Sequence, residues 1–252
     1  MIKYFLFIVL FLIYTDSSVA QDSSGDKDSS ETKWSGSITG SGLYQSGNTN
    51  KFLIQGRGEL KRVNKKLEMI LNAAGDYGEN SGAKDDNSYY GSLTADLFYD
   101  NIFSPFVLQY LEYTFGKGID LRSQTGGGLK YLFVPQDKHK SSVSLALIYD
   151  YLKLVEKPGN TQSKEARLSF RLKTKQNLFD DKLIFNFVFL YQPVVDEWSN
   201  SNKFLNTTLE IPLTNLFRLN VIYTYTFDNV VSVGRKRADN KLTFVRVYIF
   251  KR

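Results

Sequence analysis

Catalysis and metal binding need particular side chains within reach of one another, and this chain offers few of them. Among its 252 residues there is no cysteine and a single histidine, His139. The missing cysteine removes disulfide scaffolds, thiolate metal sites and a lipoprotein anchor. Acyl-transfer enzymes use a base that titrates near neutrality, and one histidine alone supplies neither a triad nor a metal cluster. No paired-carboxylate motif stands out. The chain reads as non-enzymatic, with no cofactor and no metal site. What remains able to do chemistry is charge, 32 Lys and Arg against 26 Asp and Glu, a net of +6. Nucleic-acid binding would need these bases and the aromatics on one accessible surface. They are spread along the chain instead, so no nucleic-acid partner is expected.

The elements that position these charges follow from a period of two. In residues 217–228, Phe217, Leu219, Val221, Tyr223, Tyr225 and Phe227 form one face, and Arg218, Asn220, Ile222, Thr224, Thr226 and Asp228 the other. Residues 143–151 and 166–175 alternate in the same way. A helix would need a period of 3.6, and no window supplies it. Twelve such segments are predicted, at 33–46, 51–62, 66–78, 87–99, 105–115, 119–134, 141–154, 164–177, 182–193, 203–213, 217–228 and 240–250. All five prolines fall at strand ends or in connections, where a missing ladder donor is harmless. Short turns at 63–65, 100–104, 135–140, 178–181 and 214–216 alternate with longer polar loops at 79–86, 155–163, 194–202 and 229–239. The connections after the first and fifth strands are short exceptions.

An even strand number, strands of about ten residues and short turns at one end describe an antiparallel transmembrane β-barrel. A secreted sandwich or soluble up-and-down barrel shares the alternation. Three features favour the membrane. The apolar faces end in aromatics, Trp34, Tyr44, Tyr77, Tyr89, Tyr99, Tyr113, Tyr131, Tyr149, Tyr151, Tyr191, Tyr223 and Tyr225, as interfacial girdles would. The opposite faces mix charge with Ile and Leu. The last strand alternates Leu242, Phe244, Tyr248 and Phe250 up to the C-terminus. A mean hydropathy of −0.28 excludes a bundle of apolar helices.

With apolar faces toward lipid, the candidate lumen charges are Glu68, Asp76, Asp96 and Glu112 on strands three to five, and Arg122, Lys130, Arg167, Arg171 and Lys173 on strands six to eight. Arg57, Glu59, Lys61, Asp150, Glu210 and Arg218 join them. Two readings follow. Adjacent walls of acid and base set up a field across a wet pore that passes small charged solutes, or the two signs pair and plug a narrow barrel. Arg246 breaks the outward series of the last strand, so either it lies near an interface or Val245, Val247 and Ile249 face the lipid. Gly126, Gly127 and Gly128 sit mid-strand, which suits a bulge or close approach rather than a phosphate loop. Gly36, Gly40, Gly42, Gly56 and Gly58 are expected to relieve crowding at barrel closure, in preference to admitting a ligand. Arg235, Lys236 and Arg237 are an exposed basic tip.

Residues 1–20 have the layout of a secretory signal peptide: Lys3, an apolar stretch over 4–14, and small Ser18 and Ala20 before the expected cut. Residues 21–32 read as a flexible polar leader, and 33–252 as the barrel. The outer membrane of a diderm bacterium is the expected location, with lipid and the barrel assembly machinery as partners.

The opening Trp34-Ser-Gly-Ser-Ile-Thr-Gly-Ser-Gly followed by Ser46-Gly-Asn-Thr-Asn, then Leu111-Glu-Tyr, Gly118-Ile-Asp-Leu-Arg, Gly126-Gly-Gly-Leu-Lys-Tyr and the terminal Val247-Tyr-Ile-Phe, resembles the salt-induced outer-membrane (YdiY-like) protein family. The resemblance covers most of the chain after Lys33. It implies an outer-membrane barrel and a link to osmotic conditions, and no established activity. Members tend to end on the aromatic itself, whereas Lys251 and Arg252 follow Phe250 here. A narrow pore or envelope component is the expected role; a surface interaction protein acting through its outer loops, as adhesin or scaffold, is the alternative.

Overall fold

The computed structural model describes residues 32–46, 50–136, 138–155 and 160–251. The expected signal peptide, and all but the last residue of the expected leader, lie outside the described residues. Twelve strands follow one another: β1 (Lys33–Gln45), β2 (Lys51–Val63), β3 (Leu67–Asn80), β4 (Ala83–Leu97), β5 (Phe103–Thr114), β6 (Ile119–Pro135), β7 (His139–Val155), β8 (Asn160–Leu178), β9 (Leu183–Pro193), β10 (Ser201–Pro212), β11 (Phe217–Phe227) and β12 (Ala238–Lys251). Each pairs antiparallel with its sequence neighbour, and β12 returns to β1, so the sheet closes. Closure removes the free edges of an open sheet except along the β1–β12 seam beyond Thr39–Val247.

The alternation decides the facing of every strand. On β7, Val143, Leu145, Leu147 and Tyr149 are exposed, while Ser144, Ala146, Ile148 and Asp150 are buried. Outward rings pair across strands in bands near the two ends. Phe103 stacks on Tyr131 (5.1 Å) and Phe217 meets Tyr248 (5.5 Å) at the end carrying both strand termini, Lys33 and Lys251. Tyr89 stacks on Tyr113 (6.1 Å), and Phe170 meets Tyr191 (6.4 Å), toward the opposite, loop end. Tyr99 is not part of a strand face, because β4 stops at Leu97 and Tyr99 sits in the following turn.

Two of the expected long loops are corrected. Residues 79–86 are strand around a two-residue turn, in which Ser81 and Gly82 have φ of 52° and 78°. Positive φ at both positions gives the turn whose twist matches the strands it joins. The polar run had hidden this hairpin. Likewise β7 and β8 reach Val155 and Asn160, so the connection spans only 156–159. The two long loops are 194–200 and 228–237.

Arg246 faces outward. Val245 and Val247 are buried on the lumen side, which rules out the alternative facing of β12. Its guanidinium lies 4.1 Å from the centroid of the Phe217 ring. Phe217 opens β11 at the terminal end, so the side chain reaches along the wall toward that rim, as snorkelling cations do.

The glycines divide by role. An added Cβ on Gly126 or Gly128 would lie 2.3 or 2.0 Å from a β7 carbonyl oxygen, so β6 and β7 approach too closely for any side chain there. Gly36 is crowded by the Phe250 ring, as closure requires. Gly40 and Gly56 have nothing within 4 Å, and for Gly42 and Gly58 the nearest atoms are at 3.7 and 3.9 Å. Crowding does not explain those four.

Candidate functional site in the barrel lumen

Inward parity brings the charged residues into the lumen, where they fall into three levels. The loop-end level is a closed network. Asp228, just beyond β11, accepts from Lys117 Nζ (2.5 Å) on Oδ2 and from Arg122 Nη1 (2.7 Å) on Oδ1. These partners are 111 and 106 residues away in sequence, on the far wall. Arg122 also donates to Glu112 (3.2 Å), and its Nε lies 3.8 Å from Asp150. Asp150 in turn accepts from Arg167 Nε at 2.8 Å. Arg167 spends its remaining donors on the carbonyl oxygens of Gln192 and Asn200 (3.2 and 3.3 Å) and on Asn200 Oδ1 (3.4 Å), holding loop 194–200 inward through Asn200.

Loop 228–237 completes the closure. Ser232 Oγ donates to the carbonyls of Gly118 (3.1 Å) and Val155 (3.0 Å) across the mouth. Val230 packs on buried Ile119, Leu152 and Leu154. Apolar contact and ion pairs thus act together at one mouth of the barrel. Burial alone would raise the Asp228 carboxyl, but Arg122 and Lys117 outweigh it and hold the group below the usual carboxylate range.

At mid-height the wall turns apolar. Phe106, Ala146 and Ile148 pack together with Leu108 against them. Arg171 lies over the Phe106 ring at 5.3 Å and donates to Ser144 Oγ (3.2 Å). The terminal-end level differs again. Lys130 pairs with Asp96 (2.6 Å), Lys61 with Glu68, and Arg218 with Glu210 (2.5 Å), whereas the Lys241–Asp76 pair (2.8 Å) lies toward the loop end. Lys173 stands apart. It is exposed to water inside the lumen although protein surrounds it, and it has no ion pair or hydrogen bond among the described residues. The charges it senses are Arg171, Glu68, Glu59 and Lys61.

All nine candidate lumen residues therefore lie on the inner wall, but not as two adjacent walls of unpaired charge. Glu68, Asp76, Asp96 and Glu112 each have a cationic partner, and Arg122, Lys130 and Arg167 each an acidic one. Only Arg171 and Lys173 remain as unneutralised bases among them. Sequence reasoning missed Lys117 and Ser232, because a lysine in a four-residue turn and a serine in a polar loop carry no signal. The one histidine is placed at the terminal end, its Nδ1 2.6 Å from Gln176 Oε1. Among the described residues no group of His, Cys, Asp and Glu is arranged to hold a metal ion.

Residues 38–250 match the family described as "Protein of unknown function, DUF481". No curated protein matches the chain. Solved structures share its fold: the NanC porin is 10% identical with a TM-score of 0.50, covering 86% of this chain and 99% of its own. The translocator domain of the autotransporter NalP from Neisseria meningitidis is 14% identical with a TM-score of 0.39, covering 86% of each chain. The CymD monoaromatic hydrocarbon channel is 9% identical with a TM-score of 0.41, covering 86% of this chain and 87% of its own. In architecture the chain is similar to the NanC porin barrel.

Proposed function

The chain belongs to that DUF481 family, and from its lumen we propose a narrow, gated outer-membrane pore for small charged solutes, without enzymatic activity. The observation that carries this reading is the latch of Asp228 on Lys117 and Arg122 across the loop-end mouth. A barrel sealed by packed apolar side chains alone would have no reason to route ion pairs from opposite walls through one loop residue. Twelve strands also sit between filled eight-stranded barrels and open porins of sixteen. Below the latch, Lys173 and Arg171 give the remaining passage a weak preference for anions. The loop end faces the exterior and the short turns face the periplasm.

A link to salt is part of the same proposal. The Lys117–Asp239 pair (3.4 Å), with Asp239 55% exposed at its side chain, is open to screening. The two Asp228 pairs are enclosed, so ionic strength loosens the latch at its rim before its centre.

Asp228→Asn removes the shared anion but leaves Arg122 with Glu112 and Lys117 with Asp239. In planar bilayers the wild-type protein is expected to give rare, brief conductance steps and Asp228→Asn long-lived ones. If neither conducts while both show the gel mobility shift of a folded barrel, the charges are structural plugs. The loop-mediated scaffold role then replaces the pore.

A further inference from the structure

The barrel wall is incompletely zipped. β1 and β12 pair from Ser35–Lys251 to Thr39–Val247, and there the ladder stops. β1 continues to Gln45 and β12 begins at Ala238, so residues 40–45 and 238–246 run on without a ladder pair between them. An unpaired strand edge is not tolerated in hydrocarbon unless it lines a polar cavity or finds another partner. A cavity of about 100 Å³ lies directly behind this gap, lined by Ser37, Thr39, Ser41, Gln55 and Arg57 on one side, and by residues of β11 and β12 including Asn220 and Thr243 on the other.

The cavity is chemically unfinished. Gln55 and Asn220 are each 9% exposed, and both Gln55 Nε2 and Asn220 Oδ1 lack a hydrogen-bond partner. One is a donor and the other an acceptor. Arg57 faces the same space with no ion pair or hydrogen bond among the described residues. Buried polar groups are normally satisfied, so two unsatisfied ones beside a half-buried Arg57 around one cavity mark a place for a ligand head. That head must be anionic for Arg57 and must itself offer a donor for Asn220.

The outer side of the gap explains the glycines that crowding does not. Gly40 and Gly56 are cross-strand partners with open space outside them, and Gly42 continues the bare backbone upward. They form a side-chain-free track on the lipid face beside the gap, between Ile38, Ile54 and Phe244, all more than half exposed. The cavity has room for a polar head and not for a hydrocarbon tail.

We infer that the β1–β12 seam is a lateral binding site for a single-chain amphiphile with a hydroxylated carboxylate head. The head enters the Arg57 cavity and completes its hydrogen bonds, and the tail leaves through the unzipped wall along the glycine track. This site is separate from the Asp228 latch, so conductance does not bear on it.

The test is binding of radiolabelled 3-hydroxydodecanoate to the barrel in lipid nanodiscs. Saturable binding near one per barrel is expected, with little displacement by an equal concentration of dodecyltrimethylammonium or of the tail-less 3-hydroxybutyrate. Arg57→Gln should weaken it by roughly tenfold, the scale of a charge-assisted hydrogen bond, and Arg57→Lys by less. The chain has no cysteine, so Ser41→Cys with Val245→Cys can zip the seam reversibly; oxidation should abolish binding and reduction restore it. If that pair does not fold, Gly40→Leu with Gly56→Leu blocks the track from outside. Equal competition by 3-hydroxybutyrate would overturn the lateral site in favour of a lumenal anion site. Binding indifferent to Arg57→Gln or to seam closure would overturn the proposal, and so would absence of saturable binding.

Discussion

Arg167 is 2% exposed and its partner Asp150 1%, which makes them the most enclosed ion pair in the lumen. Removing both charges from such a site is often nearly neutral, whereas removing one leaves the other buried without compensation. Arg167→Ala is therefore expected to destabilise the folded barrel by about 3–5 kcal/mol. The double change with Asp150→Ala should recover part of that loss. Denaturant titration of the gel mobility shift measures both, and equal loss in single and double variants would show that Arg167 acts only through its bonds to loop 194–200. At this scale the sequence was half legible. Period two placed Arg167, Arg171 and Lys173 on one inner face. It could not tell that Arg167 is consumed by Asp150 and two carbonyls while Lys173 is free, because partner choice depends on register and on which wall stands opposite.

Loop 228–237 shows the same limit for an element. Its length and polarity mark it as a loop, yet Val230 and Ser232 dock it across the mouth, and nothing in their types announces that. Gly118 makes room for the docked serine: its φ is +67°, and an added Cβ would meet Ser232 Oγ at 2.2 Å. The state of the latch with pH follows from Asp228. A carboxyl depressed in the folded state contributes stability that is present above its unfolded pKa of about 4, and loses it as pH falls through the lower folded value. Channel opening should thus be the same at pH 7 and pH 5 and rise only below about pH 4. Bilayer recordings at pH 7, 5 and 3 check this. Opening already at pH 5 would mean that a group other than Asp228 governs the gate. Strand boundaries were legible to within a few residues, except where the 79–86 hairpin hid behind polar residues.

For the whole molecule, closure into a barrel turns a list of alternating faces into a lumen with a net sign. The segregation of acids on β3–β5 from bases on β6–β8 is real in the sequence, but ladder register along the β4–β6 wall and closure at the seam convert it into pairs. Asp96 meets Lys130, Glu112 meets Arg122, and Asp76 meets Lys241 of a strand that closure alone brings near. The field those walls would have produced is largely cancelled. What survives is Arg171, which leans on Phe106, and Lys173, wet and unpaired, below the latch. In the proposed pore, selectivity is therefore assigned to these two rather than to the basic wall as a whole. Lys173 stands in water, so its influence on a passing ion is screened over a Debye length of about 10 Å at 0.1 M salt. In the latch-free Asp228→Asn background, Arg171→Gln with Lys173→Gln should move the reversal potential toward cations in a salt gradient, most clearly at low salt. Lys130→Gln in the same background should shift it the same way by less, because it leaves Asp96 unpaired but lies outside the wet passage. A larger shift from Lys130 than from the Arg171 and Lys173 pair would place the ion path along the β4–β6 wall, where the ion pairs would then be gates and not struts.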